Sequence, residues 1–286
     1  MTNEMVFLPP ITELAVGLLA LCAAGAIIVW AARHAARVRQ SDVDWLAGGL
    51  ASDLTKPIYT AYLRRHWRMR TLGCLAGLAV AVVSGLCWPG DTVVTVGIGA
   101  GRMGSDLLVG ALAGITFGTL GAESYRLRVG RGPRRQARLE ARPARPQPRL
   151  IMTARALAIV AIGLAALGTV LWSKSGMIGG ALLAIVLAGL AEVTQAAITD
   201  RRRFASDYVD AVDQRLRAFA GRSVAWLELS GAILGLGWCL SALEPANDLV
   251  GAAMTVAILA CLVLAFVALQ RSSGRAPRGW QPAVVT

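Results

Sequence analysis

The stretch that decides the fold is residues 154–198, ARALAIVAIGLAALGTVLWSKSGMIGGALLAIVLAGLAEVTQAAI. Two apolar runs, 154–172 and 177–198, flank the short turn 173–176. Each run is close to the ~20 residues that a helix needs to cross a bilayer. Because a turn this short makes the joined helices antiparallel neighbours, the stretch predicts a transmembrane hairpin.

Further apolar stretches of similar length lie on both sides of this hairpin. They cover residues 11–32, 72–88, 106–123, 224–243 and 248–270. The whole chain is 56% hydrophobic, has a mean hydropathy of +0.57, and has only 16% charged residues; a soluble domain has about 25%. The sequence therefore predicts an all-α fold: a polytopic seven-helix transmembrane bundle of one N-terminal span and three helical hairpins.

The positive charge alternates between the connections that join these spans. Of the 29 Lys and Arg residues, 27 lie in four alternate segments: 33–71, 124–155, 199–223 and 271–286. By the positive-inside rule, this pattern places the N-terminus outside and the C-terminus in the cytoplasm. We expect a multi-pass protein of a bacterial plasma membrane. The net charge of +12 is spread along the span ends, which favours anionic inner-leaflet lipids, rather than nucleic acid, as its partner.

The predicted organisation runs from one end of the chain to the other in eight segments. They are the outer tail with the first span (1–32), a basic cytoplasmic connection with a short helix (33–71), hairpin 1 (72–123), an Arg/Pro-rich cytoplasmic loop (124–153), hairpin 2 (154–198), a cytoplasmic amphipathic helix (199–223), hairpin 3 (224–270) and a disordered cytoplasmic tail (271–286). Within hairpin 1, the glycine-rich stretch 89–105 is either an outer loop or a re-entrant segment. A weak repeat relates Leu50–Asp53 to Phe204–Asp207, each followed by a polar helix and a hairpin.

Small residues recur at helical spacing in three spans. They are Gly73, Gly77 and Gly85 in the second span, Gly110, Gly114 and Gly118 in the third, and Gly180, Ala184 and Ala188 in the fifth. Small residues on one stripe let helix backbones approach closely in a membrane. They predict close packing, either within the chain or in a homodimer, while the alternative is chance in a chain rich in Ala and Gly.

Three glutamates, Glu123, Glu192 and Glu228, fall near the predicted cytoplasmic ends of apolar segments. An acid inside a membrane is a candidate for a functional site such as proton coupling. The alternative is that each reaches the interface and pairs with a neighbouring arginine. Glu192 continues the small-residue stripe of its span, so we expect it to face another helix.

A polar cluster is predicted at the outer mouth of hairpin 1. It consists of Asp91, Arg102, Ser105 and Asp106. Such a cluster suits a solute site, but it equally suits a hydrated loop with a local Arg–Asp pair.

Motifs for known chemistry are missing from the sequence. It contains no G-x-x-x-x-G-K-[ST] loop, no H-E-x-x-H and no G-x-S-x-G, which argues against nucleotide, zinc and serine-hydrolase chemistry. The two histidines, His34 and His66, lie among arginines, whose positive field disfavours a bound cation. We therefore expect no enzyme activity, no metal and no cofactor.

Several local patterns resemble those of multi-span membrane proteins of the high-GC Gram-positive, actinobacterial type. They are the basic run Tyr62–His66, the pairs Ala122-Glu123 and Ala191-Glu192 that close two spans, and the preference for Arg over Lys. The resemblance covers about the middle half of the chain and implies no particular activity or site residue. The chain departs from this type at the glycine-rich stretch before the third span, which is longer here.

The function expected from the sequence is that of a non-enzymatic integral membrane protein. It would be an accessory or scaffold subunit of a membrane assembly, or a self-associating bundle with a second copy or another membrane protein as partner. The alternative is a transporter or channel for a small solute or ion, with Glu192 in its pathway.

Overall fold

The computed structural model describes residues 37–87, 103–124, 147–172, 176–199, 207–243, 247–277 and 279–280. Within these residues, all regular secondary structure is α-helical. The helices are α1 (Gln40–Ala47), α2 (Lys56–Cys87), α3 (Met103–Ser124), α4 (Pro148–Trp172), α5 (Gly176–Thr199), α6 (Asp207–Ser241) and α7 (Asp248–Arg271). The predicted first span at 11–32 and most of the Arg/Pro-rich loop 124–153 lie outside the described residues.

Five of these helices are long and apolar enough to cross a membrane. The qualifying segments are Leu107–Ser124, Pro148–Leu171, Gly176–Thr199, Ala211–Ser241 and Asp248–Arg271. The prediction of an all-α fold with helices able to cross a membrane is confirmed for this part of the chain. The number of seven spans and their orientation stay predictions.

Two helices are much longer than a membrane span. α2 has 32 residues and α6 has 35, so each is roughly 50 Å long at about 1.5 Å per residue, against about 30 Å of hydrocarbon. Each joins a polar first half to an apolar second half in one continuous helix, where the sequence predicted a separate polar helix before the span. Pro57 causes no interruption because it is the second residue of α2, where a helix tolerates proline.

The helix α6 forms the centre of the bundle. In its apolar segment 72% of the residues are buried, compared with 22% to 44% in the other four. It packs against α3, α4, α5 and α7. The outward faces of α4, α5 and α7 carry large apolar side chains such as Ile159, Leu182 and Val263, which suit contact with lipid.

The helix termini that adjoin the basic segments of the sequence lie together on one side of the bundle. We call this side the basic end. There Arg65 of α2 donates a hydrogen bond to the carbonyl of Ala122 in α3, and Arg70 donates to the carbonyl of Leu269 in α7 at 2.7 Å. The amide of Gln195 in α5 donates to the carbonyl of Gly221 in α6 at 2.9 Å. The ends of α3, α5 and α7 therefore lie on the same side as the middle of α2 and α6.

A small helical layer covers the basic end. It is built from α1 and the polar halves of α2 and α6, and its apolar core includes Val43, Leu46, Tyr59, Leu63, Val212, Leu216 and Phe219. These side chains recur every three or four residues along their helices, so one face of each helix is buried. We call this the basal layer.

Candidate functional site: a buried acid at the basic end

Glu123, the penultimate residue of α3, is the centre of a buried polar cluster. Its side chain is 1% exposed. The hydroxyl of Tyr62 donates to both carboxylate oxygens at 2.7 and 2.8 Å, and Nδ1 of His66 lies 2.8 Å from Oε1. We call Tyr62, His66 and Glu123 the Glu123 cluster.

The position of this acid explains why it needs partners. Burying a carboxylate costs several kcal/mol, and the C-terminal end of a helix carries partial negative charge that repels it further. Tyr62 and His66 are four residues apart on α2, so both project from the same face of that helix. The two donors therefore reach the carboxylate together, and Arg65 on the same turn satisfies the neighbouring carbonyl of Ala122.

Aromatic rings enclose the Glu123 cluster on the side of the basal layer. Phe219 of α6 lies 5.9 Å from the His66 ring and 6.0 Å from the Tyr62 ring, edge to face in both pairs. Trp45 of α1 packs edge to face on Phe219 at 6.2 Å. The cluster thus lies where the hairpin of α2 and α3 joins the basal layer.

A second charged cluster joins α4, α5 and α6 at the same end. Arg155 forms an ion pair with Glu192, and its Nε lies 3.6 Å from Oε1 of Glu228. Glu228 is 2% exposed, whereas Glu192 and Arg155 are 39% and 43% exposed. One arginine therefore lies between a buried acid and an acid at the rim of the bundle.

The segment 272–277 after α7 closes the basal layer. The indole of Trp67 donates to the carbonyl of Ser273 at 2.7 Å, and Ser223 donates to the carbonyl of Ser272 at 3.1 Å. The backbone N–H of Ala276 donates to Asp42 at 2.9 Å. The sequence predicted a disordered tail from residue 271, but Ser272 and Ser273 are buried, because these backbone groups find partners on three helices.

Arg70 links this segment to α2. It donates to the hydroxyl of Ser272 at 3.1 Å as well as to the carbonyl of Leu269. Burial of the guanidinium, together with the nearby positive charge of Arg275, lowers the pKa of Arg70 to about 10. The group is still protonated at neutral pH, so it keeps donating to the carbonyl of Leu269 at the end of α7, which also accepts from the Ser272 hydroxyl at 2.8 Å.

The structure places the glycines of the second and third spans against one another. A Cβ atom on Gly110 would lie 2.6 Å from the carbonyl oxygen of Gly77, closer than real Cβ atoms approach. Built on Gly73, Gly114 or Gly118, it would collide with backbone oxygens of the facing helix. These glycines are therefore part of the contact between α2 and α3 within one chain; the surroundings of Gly85 lie outside the described side chains.

The stripe predicted on the fifth span lies partly against α6. A Cβ atom on Gly180 would lie 2.8 Å from the carbonyl oxygen of Gly235, and Ala184 is completely buried. Ala188 is half-buried, and Glu192 continues the stripe to Arg155 of α4.

The outer polar cluster is not described. Asp91 and Arg102 lie outside the described residues, and only the helical backbone is described at Ser105 and Asp106. The arginines that follow Glu123 and Glu192 most closely in the sequence, Arg126, Arg128 and Arg201, also lie outside the described residues.

Sequence reasoning missed the partners that the structure gives to Glu123. It placed His66 in a positively charged flank and quoted Tyr62 only within a basic run. The available signal was the four-residue spacing of Tyr62 and His66 on the same face as the apolar Tyr59 and Leu63. Arg222, the arginine that precedes Glu228 most closely in the sequence, has its guanidinium 5.6 Å from the centre of the Trp45 ring.

Within the described part of the chain, no group of three or more His, Cys, Asp or Glu residues is placed to hold a metal ion. Comparison of the chain with family models, with curated proteins and with solved structures gives no match. The function is therefore argued from the arrangement of its own residues.

Proposed function

We propose that the chain is a seven-span integral membrane protein of a bacterial plasma membrane that acts as a non-enzymatic accessory or scaffold subunit. Its N-terminus would be outside and its C-terminus in the cytoplasm, with the basic end against anionic lipid of the inner leaflet. The proposal includes self-association, in which the partner is a second copy of the same chain.

The observation that carries this proposal is the distribution of charge along the helices. No Asp, Glu, Lys or Arg occurs in residues 71–83, 107–122, 156–171, 177–191, 229–241 or 249–270. Hydroxyls inside the spans donate largely to carbonyls of their own helix, as Thr116 does to Leu112 at 2.9 Å and Thr169 does to Ala165 at 2.8 Å. Spans with so few charged and free polar groups argue against a continuous polar pathway across the bilayer. They favour a packed bundle that presents apolar faces to neighbouring lipids or proteins.

The first test is purification of the tagged full chain from its native host in mild detergent, followed by mass spectrometry and measurement of the mass of the complex. A stoichiometric membrane-protein partner or a defined homo-oligomer is expected. A clean monomer with no partner would contradict the proposal.

Variants for this test must separate loss of association from loss of folding. Gly114→Leu and Gly118→Leu are poor choices, because both glycines face α2 within the chain. At Gly163 in α4 and Gly189 in α5, an added Cβ atom would meet nothing within 4 Å. Leucine there alters an outward face and leaves the bundle intact, so a loss of partner with unchanged thermal stability would locate the interface on that face.

The orientation is tested with a reporter at each end of the full chain. A C-terminal green fluorescent protein is expected to fluoresce in the cytoplasm, and an N-terminal epitope tag is expected to bind antibody on spheroplasts. Reporters on the same side of the membrane would contradict an odd number of spans.

The second candidate function, transport of a small solute or ion, is favoured by Arg155. One arginine placed between two acids, of which Glu192 is at the rim, is an arrangement that ion exchange can use. Glu192→Gln in proteoliposomes is expected to abolish proton flux reported by an entrapped dye if this function holds, while Arg149→Gln, on the same helix as Arg155, leaves it unchanged. Absence of flux in the unmodified protein would contradict proton transport.

A further inference from the structure

His66 has one ring nitrogen without a partner, although it is buried. The side chain is 1% exposed. Its Nδ1 lies 2.8 Å from Glu123, while Nε2 has no hydrogen-bond partner in the described part of the chain. Buried polar atoms are normally paired, so this nitrogen calls for an explanation.

The contacts of Glu123 determine the tautomer of the neutral ring. The hydroxyl of Tyr62 donates to both oxygens of Glu123, as expected for an ionised carboxylate, which is an acceptor only. Nδ1 must then carry a hydrogen and donate it to Oε1. A neutral His66 consequently has its lone pair on Nε2, inside the protein.

The groups around His66 include one acid, one arginine and one aromatic ring. Glu123 of α3 is the acid in contact with the ring, Phe219 of α6 is an uncharged neighbour, and Arg65 binds the adjacent carbonyl of Ala122. Several other charged side chains of the layer have partners elsewhere: Asp42 with Ala276, Asp44 with Gln40 and Ala51, Arg70 with Leu269 and Ser272, Arg217 with Asp213, Arg222 with Trp45, and Arg275 with Trp67. His66 and Glu123 are thus hydrogen-bonded to each other inside the protein.

We propose that His66 and Glu123 form a buried proton-binding site that links the membrane hairpin of α2 and α3 to the basal layer. A proton taken from water binds the lone pair of Nε2, and the imidazolium then pairs with the carboxylate. The ring of Phe219 lies 5.9 Å from the His66 ring on the side of the basal layer. Protonation therefore strengthens the contact between α2 and α3 beside Arg65, and this proposal does not depend on the proposed function.

The test uses nuclear magnetic resonance of the full chain in lipid nanodiscs, with ¹⁵N in the histidine rings. The chain has 2 histidines, so the spectrum is simple, and His34→Asn assigns the signals of His66. At about pH 8 we expect His66 to show a protonated Nδ1 and a bare Nε2, and Nε2 to gain a proton as the pH falls to about 5. A hydrogen on Nε2 at about pH 8, or an unprotonated Nε2 at about pH 5, would overturn the proposal.

A matched pair of variants tests the role of the carboxylate. Glu123→Gln keeps the size of the side chain and removes its charge, so the proton affinity of His66 should fall about tenfold or more. Glu192→Gln, in the other charged cluster, should leave it unchanged. An equal proton affinity of His66 in both variants and in the unmodified chain would also overturn the proposal, and the unmodified chain remains a complete test if Glu123→Gln does not fold.

Discussion

At the residue scale, the most consequential position is Glu123, because one acid at the end of α3 depends on two donors from α2. Breaking a buried charged pair is costly, since the remaining charge stays buried. Loss of these polar contacts is therefore expected to destabilise the basic end of the bundle.

Removing the Tyr62 hydroxyl tests this dependence. Tyr62→Phe keeps the ring but deletes the donor to Glu123, and we expect a loss of about 1.5–3 kcal/mol of stability, the range for a hydrogen bond to a charged group. Thermal unfolding in detergent should show a clear fall in Tm. Thr153→Val, which deletes an exposed bond to Arg149, serves as the control, and an equal, small change in both variants would contradict the role of Tyr62.

Arg70 is the second residue whose substitution we expect to lower the stability of the protein. Arg70→Gln removes the charge-assisted bond to the carbonyl of Leu269 and the bond to Ser272, so the end of α7 should fray and Tm should fall. Arg68→Gln is the matched control, because Arg68 lies on the same helix and is exposed. Hydrogen exchange at the amides of 269–273 is the measurement, and unchanged protection in Arg70→Gln would show that the contact is not needed.

At the element scale, the hairpin of α2 and α3 depends on backbone contact. A methyl group on Gly114 would meet the carbonyl of Gly73, and backbone cannot move aside as a flexible side chain can. Gly114→Ala should therefore cost about 3 kcal/mol, the upper end of the usual range for overpacking. Gly163→Ala on α4 has open space and should be neutral or slightly stabilising, because alanine favours helix; a similar Tm for the two variants would refute close packing.

The segment after α7 offers another matched pair of glycines. Gly274 has φ +70° and its Cβ would lie 2.9 Å from the Phe219 ring, whereas Gly279 has φ +80° with no neighbour within 4 Å. Alanine costs roughly 1–2 kcal/mol at either position for its backbone alone, and only Gly274→Ala adds a clash. We expect trypsin to cleave after Arg275 faster in Gly274→Ala than in Gly279→Ala, and equal rates would mean that the segment is not held at Phe219.

At the scale of the whole molecule, the polar contacts between helices and the apolar outer surface lie in different places. Arg65, Arg70, Arg155 and Gln195 bind groups from different helices, all at the basic end. The remaining helix surface, on α4, α5 and α7 above all, is apolar and faces outward. A bundle built this way is stabilised by polar contacts at one end and meets lipid or protein partners with its sides.

The sequence by itself determined the class of protein and the position of most helices, because long apolar runs and alternating basic segments are properties of consecutive residues. It could not place the boundaries of α2 and α6, since nothing local interrupts the helix where the polar half meets the apolar half. It also indicated the small-residue stripes, although not which helices they would join.

Only the tertiary structure decided the partners of the charged residues. Tyr62 and Glu123 are 61 positions apart in the chain, and Arg155 and Glu228 come from different hairpins, so no local pattern predicts those pairs. The structure likewise placed 272–277 against the basal layer, where its backbone groups are paired. The physical reason is the same in each case: a buried polar group is stable only where distant elements supply its partner.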